Sequence, residues 1–342
     1  MIAIDAMGGD FAPKAILEGA LIVARNNCAV RLFGPRKLLE ECLYNLDSGY
    51  QSYPITFHDS DQVIEMDEDP VRAVRKKNNS SLVLAVLSVK RGECSGVVSA
   101  GNSGAFLAAT TLILGRKNGI KRPAIAGYLP ARQEPVLCLD LGANIDCKAS
   151  YLFAFAHMGS DYYTSAHGIA CPRIGLLSNG AEKTKGNALI KKVHAMLVKS
   201  QTLNFIGNVE PIDVFNNVVD VVVCDGFAGN LLLKTAEGMA DLVASFFTEE
   251  LSSATAHSKE HHNDASQHFE KVFEQVDWKK RGGALLLGVL GTAVVVHGRA
   301  DAEAIKNAIL LAQKTSGASQ VGATEKVCAT SIITGLKKLR VC

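Results

Sequence analysis

The segment Val218-Val-Asp-Val-Val-Val-Cys-Asp-Gly-Phe-Ala-Gly-Asn230 carries the pattern on which the fold turns. An apolar run ends in small, turn-forming residues, and a helix-compatible stretch follows. The same order occurs four more times. Ile2-Ala-Ile-Asp5 leads into Ala6-Met-Gly-Gly-Asp10, and Gly96-Val-Val-Ser99 into Ala100-Gly-Asn-Ser-Gly104. Val136-Leu-Cys-Leu139 leads into Asp140-Leu-Gly-Ala-Asn-Ile-Asp146, and Arg173-Ile-Gly-Leu-Leu177 into Ser178-Asn-Gly-Ala-Glu-Lys-Thr-Lys-Gly-Asn187. Unbroken Val, Leu and Ile runs predict strands covered on both faces. Strands alternating with helices predict an α/β fold with a parallel, doubly wound sheet. Ligands of such sheets bind beyond the carboxyl ends of the strands. The five loops are therefore expected to share one rim and one cleft, although Gly, Asn and Asp also serve as plain turn formers.

Helix signals fill the gaps between strands. Asp69-Pro70 offers an N-cap followed by proline at the first helical position, with Val71 to Lys77 behind it. Met239, Leu242, Val243, Phe246 and Phe247 share one helical face, as do Phe269, Val272, Phe273 and Val276. Polar, histidine-rich Ser252 to Gln267 lies between them. The expectation is one α/β domain over residues 1–342, with an amphipathic helix pair projecting over 237–280.

Composition narrows the function classes. The 342 residues are 48% hydrophobic and 20% charged, ordinary globular usage that excludes disorder. The formal charge of +2 is too balanced for a general nucleic-acid binder. The nine cysteines form no C-x-x-C and read as buried free thiols of a reducing cytosol. Met1 to Met7 lacks a basic leader and reads as a strand. The most apolar stretch, Ala284 to Val296, holds two glycines and is shorter than the ~18 residues of a spanning helix. The expectation is a cytoplasmic protein, with peripheral membrane contact left open.

Several loops have chemical potential. Met7-Gly-Gly-Asp10 and Ala100 to Gly104 suit anions through backbone N–H groups, yet neither is a phosphate loop or a dinucleotide fingerprint. Lys183 and Lys185 stand beside Glu182 just after a buried strand. There a lysine binds phosphate or stabilises an oxyanion, or is simply a solvated surface group. Asp225 is an acceptor or a helix N-cap, and Asn230 a side-chain donor. His257, His261, His262 and His268 lack an H-E-x-x-H pattern and read as a solvated tip rather than a metal site. No G-x-S-x-G elbow occurs. Arg72, Arg75, Lys76 and Lys77, with Lys279, Lys280 and Arg281 further on, form either a solvated face or a dock for an acidic partner.

These residues together resemble the PlsX-type phosphate acyltransferases of bacterial phospholipid synthesis. The resemblance rests on Asp5-Ala-Met-Gly-Gly-Asp10 with Pro13-Lys14, Asp69-Pro-Val-Arg-Ala-Val-Arg-Lys-Lys77 with Ser80-Ser81, and Ser99-Ala-Gly-Asn-Ser-Gly-Ala105. It continues through Asp140-Leu-Gly-Ala-Asn144, Asp146-Cys-Lys148, Lys185-Gly-Asn187, Asn204 to Glu210, Asp225 to Asn230, Gly282 to Gly288 and His297-Gly298. It implies a three-layer α/β/α sandwich of the isocitrate dehydrogenase and phosphotransacetylase type, dimeric, with no cofactor or metal. The implied activity is fatty acyl transfer from acyl carrier protein to inorganic phosphate, for a membrane acyltransferase acting on glycerol 3-phosphate.

Carried over by position, Lys185 and Asn230 are the implied catalytic pair. Gly8, Gly9, Asp10, Asn102, Ser103, Asn144, Asp146, Glu182, Gly186, Asn187 and Asp225 would line the substrates. Arg72, Arg75, Lys76 and Lys77 would face acyl carrier protein. The chain departs from the family at Lys148-Ala149, where Lys-Pro is usual, and at Arg299-Ala300, where Ser is common. It departs most at the polar 252–267 tip, apolar in relatives that touch the membrane. Competing readings are a phosphotransacetylase-like enzyme using acyl-CoA, an NAD-dependent decarboxylating dehydrogenase, which the missing metal-carboxylate cluster disfavours, and a non-catalytic scaffold for acyl carrier protein.

Overall fold

A computed structural model describes residues 1–254, 273, 280 and 282–319. Its strands are β1 (Ile2–Asp5), β2 (Val30–Gly34), β3 (Ile55–Asp59), β4 (Gly96–Ser99), β5 (Ala124–Leu129), β6 (Val136–Leu139), β7 (Arg173–Leu177), β8 (Asn204–Val209), β9 (Val221–Val223), β10 (Ala284–Leu287) and β11 (Thr292–Val295). They form one eleven-stranded sheet in the order β3-β2-β1-β4-β11-β10-β5-β6-β9-β7-β8. The helices are α1 (Lys14–Arg25), α2 (Arg36–Leu46), α3 (Pro70–Lys76), α4 (Ser81–Lys90), α5 (Ser103–Ala109), α6 (Ala149–His167), α7 (Ala188–Val198), α8 (Pro211–Phe215), α9 (Gly226–Ala254) and α10 (Ala302–Ser319).

The strands are buried on both faces, as their unbroken apolar runs require. Ile2 and Ile4 pack with α1, α2 and α10, whereas Ala3 between them faces α3, α4 and α5. In the other half, Leu137 and Leu139 pack with α6 and α7, and Cys138 faces α8 and α9. This is a three-layer α/β/α sandwich with a mostly parallel sheet. β9 is shorter than the run Val218 to Cys224. Val218 closes the turn after α8 on Asp213 O, and Asp220 is paired with Arg173 at 2.7 Å.

One expectation is corrected here. β10 is antiparallel to both β11 and β5, and β5 is antiparallel to β6. The group β6, β9, β7, β8 therefore runs opposite to the group β3, β2, β1, β4, β11. The five loops leave the sheet in two sets and do not share one rim. The thiols also differ from expectation: Cys28, Cys94, Cys138 and Cys224 are buried, but Cys42 and Cys147 are half-buried and Cys171 is exposed.

α9 carries the expected apolar face, with Met239, Leu242, Val243, Phe246 and Phe247 all exposed. The second helix of the expected pair and the four clustered histidines lie outside the described residues, apart from Phe273, which is helical. No described helix is long and apolar enough to cross a membrane.

His157 in α6 gives the fold a pH dependence. It is 2% exposed, and its Nε2 has no hydrogen-bond partner among the described residues. Burial pulls the imidazole from 6.5 down to about 4. Between those values the unfolded chain binds the proton and the folded chain does not, so stability falls as pH drops through this window. The expected loss between pH 7 and pH 5 is about 2 kcal/mol. Urea midpoints at the two pH values read it, and His157→Leu should remove most of this difference.

Candidate active site

The first group of site residues is built over Asp5, at the end of β1. Its buried carboxylate accepts Ser81 Oγ at 2.6 Å and Ser99 Oγ at 2.7 Å. Burial pushes the carboxyl up, and the two hydroxyls oppose that push. A Cβ on Gly8 would stand 2.6 Å from Asp5 Oδ2 and 2.8 Å from Gly101 N. Only glycine lets the β1 and β4 loops cross this closely. Asp10 N then donates to Gly298 O at 2.8 Å, tying these loops to the end of β11.

Asn102 is engaged internally. Its Oδ1 caps α5 by accepting Ala105 N, and its Nδ2 donates to the carbonyls of Glu65, Met66 and Glu68 at 3.1–3.3 Å. Its side chain thus holds segment 65–68 in place, and the loop was expected to meet an anion through its backbone N–H groups.

The second group surrounds Asp140, which is fully buried. Its two oxygens accept Ile125 N, Gly142 N, Ala143 N, Asn144 N and Asn144 Nδ2 at 2.7–3.3 Å. Burial raises this carboxyl and those donors work against the rise. Asn144 Nδ2 also donates to Pro123 O, so this side chain too is structural. The first turn of α9 lies directly on this loop. Gly226 N donates to Asn144 O at 2.7 Å, and a Cβ on Gly229 would stand 2.0 Å from Asp140 O. Asp225 caps α9 by accepting Ala228 N at 2.8 Å, the N-cap alternative read from its position.

That seating puts Asn230 next to Gly142. Asn230 lines a cavity of about 410 Å³ with Asp10, Met66, Ser103, Leu141, Lys234, Glu237, His297, Gly298 and Arg299. His297 is held low, first by burial and then by Lys234, and its Nδ1 accepts Arg299 N at 3.1 Å. Met66, Lys234, Glu237, His297 and Arg299 were not expected as site residues. For His297 and Arg299 a signal existed: they follow β11, one more apolar run with a small-residue end.

The third group is the loop after β7. Asn179 Oδ1 accepts Gly186 N at 2.9 Å, Asn208 Nδ2 donates to Glu182 O at 3.0 Å, and Asn187 caps α7 by accepting Ile190 N. Gly186 has φ +84°, which favours glycine. Lys185 is exposed, with its stem lying over Gly180. Gly186, Asn187 and Asp225 line a groove of about 1280 Å³ whose remaining wall is mostly apolar, including Leu177, Ile190, Leu231, Leu232, Met239 and Val243.

Lys185 and Asn230 are thus not brought into one cavity. The first turns of α9 stand between, with Asn230, Lys234 and Glu237 facing one hollow and Ala228, Leu231 and Thr235 the other. Asp146 and Glu182 are exposed and line neither. Arg72, Arg75 and Lys76 are exposed on α3, whose Pro70 packs where Gly104 lacks a side chain. Lys77 leaves this basic face: its Nζ donates to Val63 O at 2.6 Å and pairs with Glu68. Among the described residues no group of three or more His, Cys, Asp or Glu is placed to hold a metal.

The three-layer α/β/α sandwich thus carries two hollows, one on either side of the start of α9, and the smaller has Asp10, Lys234, Glu237, His297 and Arg299 in its wall. Comparisons with known proteins agree on the fold. The family model described as "Fatty acid synthesis protein" matches residues 1–322. A phosphate acyltransferase of Dictyoglomus thermophilum is 43% identical over 315 residues, 92% of this chain and 93% of that protein. One from Pelotomaculum thermopropionicum is 44% identical, covering 92% and 91%. Among solved structures, a phosphotransacetylase from Streptococcus pyogenes shares the fold with TM-score 0.63 at 17% identity, covering 94% of each chain. A branched-chain phosphotransacylase from Enterococcus faecalis follows with TM-score 0.57 at 14% identity, covering 92% of this chain and 98% of that one. The chain belongs to this fatty acid synthesis family, and its resemblance to the PlsX-type phosphate acyltransferases is borne out.

Proposed function

We propose that the protein transfers a fatty acyl group from acyl carrier protein to inorganic phosphate, forming an acyl phosphate. The observation that carries this reading is the pairing, across the first turns of α9, of a large apolar groove with a smaller cavity whose wall carries Asp10, Lys234, Glu237, His297 and Arg299 among apolar residues. A fatty chain needs the first and a phosphopantetheine arm suits the second. A phosphate oxygen attacks the thioester carbonyl, the C–S bond breaks, and the carrier thiolate leaves and takes up a proton. The thioester is already activated, so the protein chiefly aligns two reactants and offsets negative charge. Asn230 donates its amide to the carbonyl oxygen as charge develops there. Lys185, exposed on the loop after β7, draws the phosphate dianion toward the site. The exposed apolar residues of α9 suit a second copy of the chain, making the active form a homodimer in the cytoplasm. Its product would serve a membrane acyltransferase acting on glycerol 3-phosphate.

The donor is tested by offering the same acyl chain on acyl carrier protein and on CoA, each with phosphate, and trapping acyl phosphate with hydroxylamine. Acyl carrier protein is expected to be the better donor by at least tenfold in kcat/KM; equal or better use of CoA would reassign the protein to a CoA-dependent transacylase. Arg72, Arg75 and Lys76 would steer the acidic carrier. Exposed charges act mainly on encounter and are screened within about 8–10 Å at physiological salt. With carrier-bound donor, kcat/KM is expected to fall several-fold as salt rises from about 0.05 to 0.5 M, while kcat stays nearly flat. An unchanged kcat/KM would make α3 an ordinary solvated face.

A further inference from the structure

The loop that enters β5 carries charge that neither hollow uses. Cys94 to Gln133 holds no Asp or Glu, and four of its cations, Arg116, Lys117, Lys121 and Arg122, fall between Gly115 and Pro123. Arg116, Lys121 and Arg122 are exposed, and Lys117 is half-buried in the wall of a third cavity that Glu134 and Asp161 also line. None of the four cations forms an ion pair among the described residues. The loop is fixed in place. Ile120 is buried in the core under α6, Lys117 N donates to Gly288 O at 2.9 Å, and Leu290 N donates to Gly115 O at 2.9 Å. The Arg116 guanidinium closes the turn by donating to Lys121 O. A partner therefore meets cations on an ordered backbone, which lowers the cost of association.

Strand direction decides what lies beside this loop. β5 is antiparallel to β6, so the loop entering β5 stands at the end of the sheet where β6, β9 and β7 finish. The 140–146 loop, Asp225 and the Lys185 loop leave from that same end. Asn144 Nδ2 donates to Pro123 O at 2.7 Å, and the next residue, Ile145, is 65% exposed. Ile125, in the wall of the cavity with Asn230, follows Arg122 by three residues, so their Cα atoms lie within about 11 Å of each other.

The basic face of α3 lacks this excess of charge. Arg72, Arg75, Lys76 and Lys77 follow directly on Glu65, Asp67, Glu68 and Asp69, four cations against four carboxylates. The 115–123 loop sets four cations against none, and the adjoining 140–146 loop adds one exposed acid, Asp146.

We infer that Arg116, Lys121 and Arg122, with Ile145 as their apolar neighbour, form the dock of the acidic carrier protein that delivers the acyl thioester. This rests on the acyl-transfer reading above. It gives the carrier a contact of higher local charge than α3, at the end of the sheet where the loop under Asn230 lies.

Two arms test it on the full-length protein. Carbodiimide coupling of the protein to purified apo acyl carrier protein joins lysine amines to carrier carboxylates with no spacer. Mass spectrometry should find Lys117 or Lys121 in the joined peptides, and the coupling should fade in about 0.5 M salt. Coupling confined to other lysines, or none, would overturn the proposal. In steady state, Lys121→Glu/Arg122→Glu should lower kcat/KM for carrier-bound donor about tenfold or more. Its kcat, its KM for phosphate and its kcat/KM for the same acyl chain on free pantetheine should stay within about twofold. Arg72→Glu/Arg75→Glu should lose less with carrier-bound donor. An unchanged kcat/KM in Lys121→Glu/Arg122→Glu would return the loop to a solvated surface. An equal loss with acyl-pantetheine would mean that the cations serve the arm and not the carrier, and either result refutes the dock. If the variant does not fold, the coupling arm decides alone. Failure of the wild type to form acyl phosphate from any donor would strike the functional reading instead, and the coupling arm would still report where an acidic carrier sits.

Discussion

Asn230→Ala is expected to lower kcat by about 10²–10³-fold with little change in KM for either substrate. Asn230 sits in the first turn of α9, which is seated on the 140–144 loop by Gly226 and Gly229. Its amide has no hydrogen-bond partner among the described residues, so its removal leaves no internal donor or acceptor stranded. The loss should therefore appear in the chemical step and not in the urea midpoint. Asn230→Asp sharpens the test. A carboxylate keeps the size but repels developing negative charge, so it should be no better than alanine. A variant that raises KM at unchanged kcat would make Asn230 a binding residue and not an oxyanion donor. Lys185→Ala is expected to reduce turnover as well, with the loss growing at low phosphate.

Asp140→Ala is expected to cost about 3–5 kcal/mol of folding stability. The carboxylate gathers four backbone amides and the Asn144 side chain at one buried point. Alanine would leave those donors facing a void, and β5 would lose its link to the 140–144 loop through Ile125 N. Asp140→Asn should also destabilise, because its Nδ2 would face N–H donors. Urea unfolding followed by circular dichroism measures both, and a midpoint within error of the wild type would show that water can replace the carboxylate. Activity should be lost along with stability, since α9 and Asn230 rest on the same loop.

The strands were legible because a sheet covered on both faces needs unbroken apolar runs. Ile2–Asp5, Gly96–Ser99, Val136–Leu139 and Arg173–Leu177 fall where their runs predict. Strand direction was not legible. Ala124–Leu129 and Ala284–Leu287 have the same apolar character as the parallel strands, and only their partners reveal the reversal at β5 and β10. Both sets of loops nonetheless meet in the smaller cavity, through Asp10 and Ser103 from one and Leu141 and Asn230 from the other.

At the site, residue type showed chemical capacity but not how that capacity was used. Asp225, Asn187 and Asn102 are good ligand groups and equally good N-caps, and all three cap helices here. Lys77 has the sequence context of a basic face, yet Glu68 and Val63 O, nine and fourteen residues away, draw it inward.

Acyl transfer to phosphate is tested in a single reaction mixture: purified protein, long-chain acyl–acyl carrier protein and inorganic phosphate, with neither metal nor nucleotide added. Free carrier thiol and hydroxylamine-trapped acyl phosphate should appear together in a one-to-one ratio, both saturating with phosphate. Thiol release that ignores phosphate, or donor binding without either product, would contradict acyl transfer to phosphate.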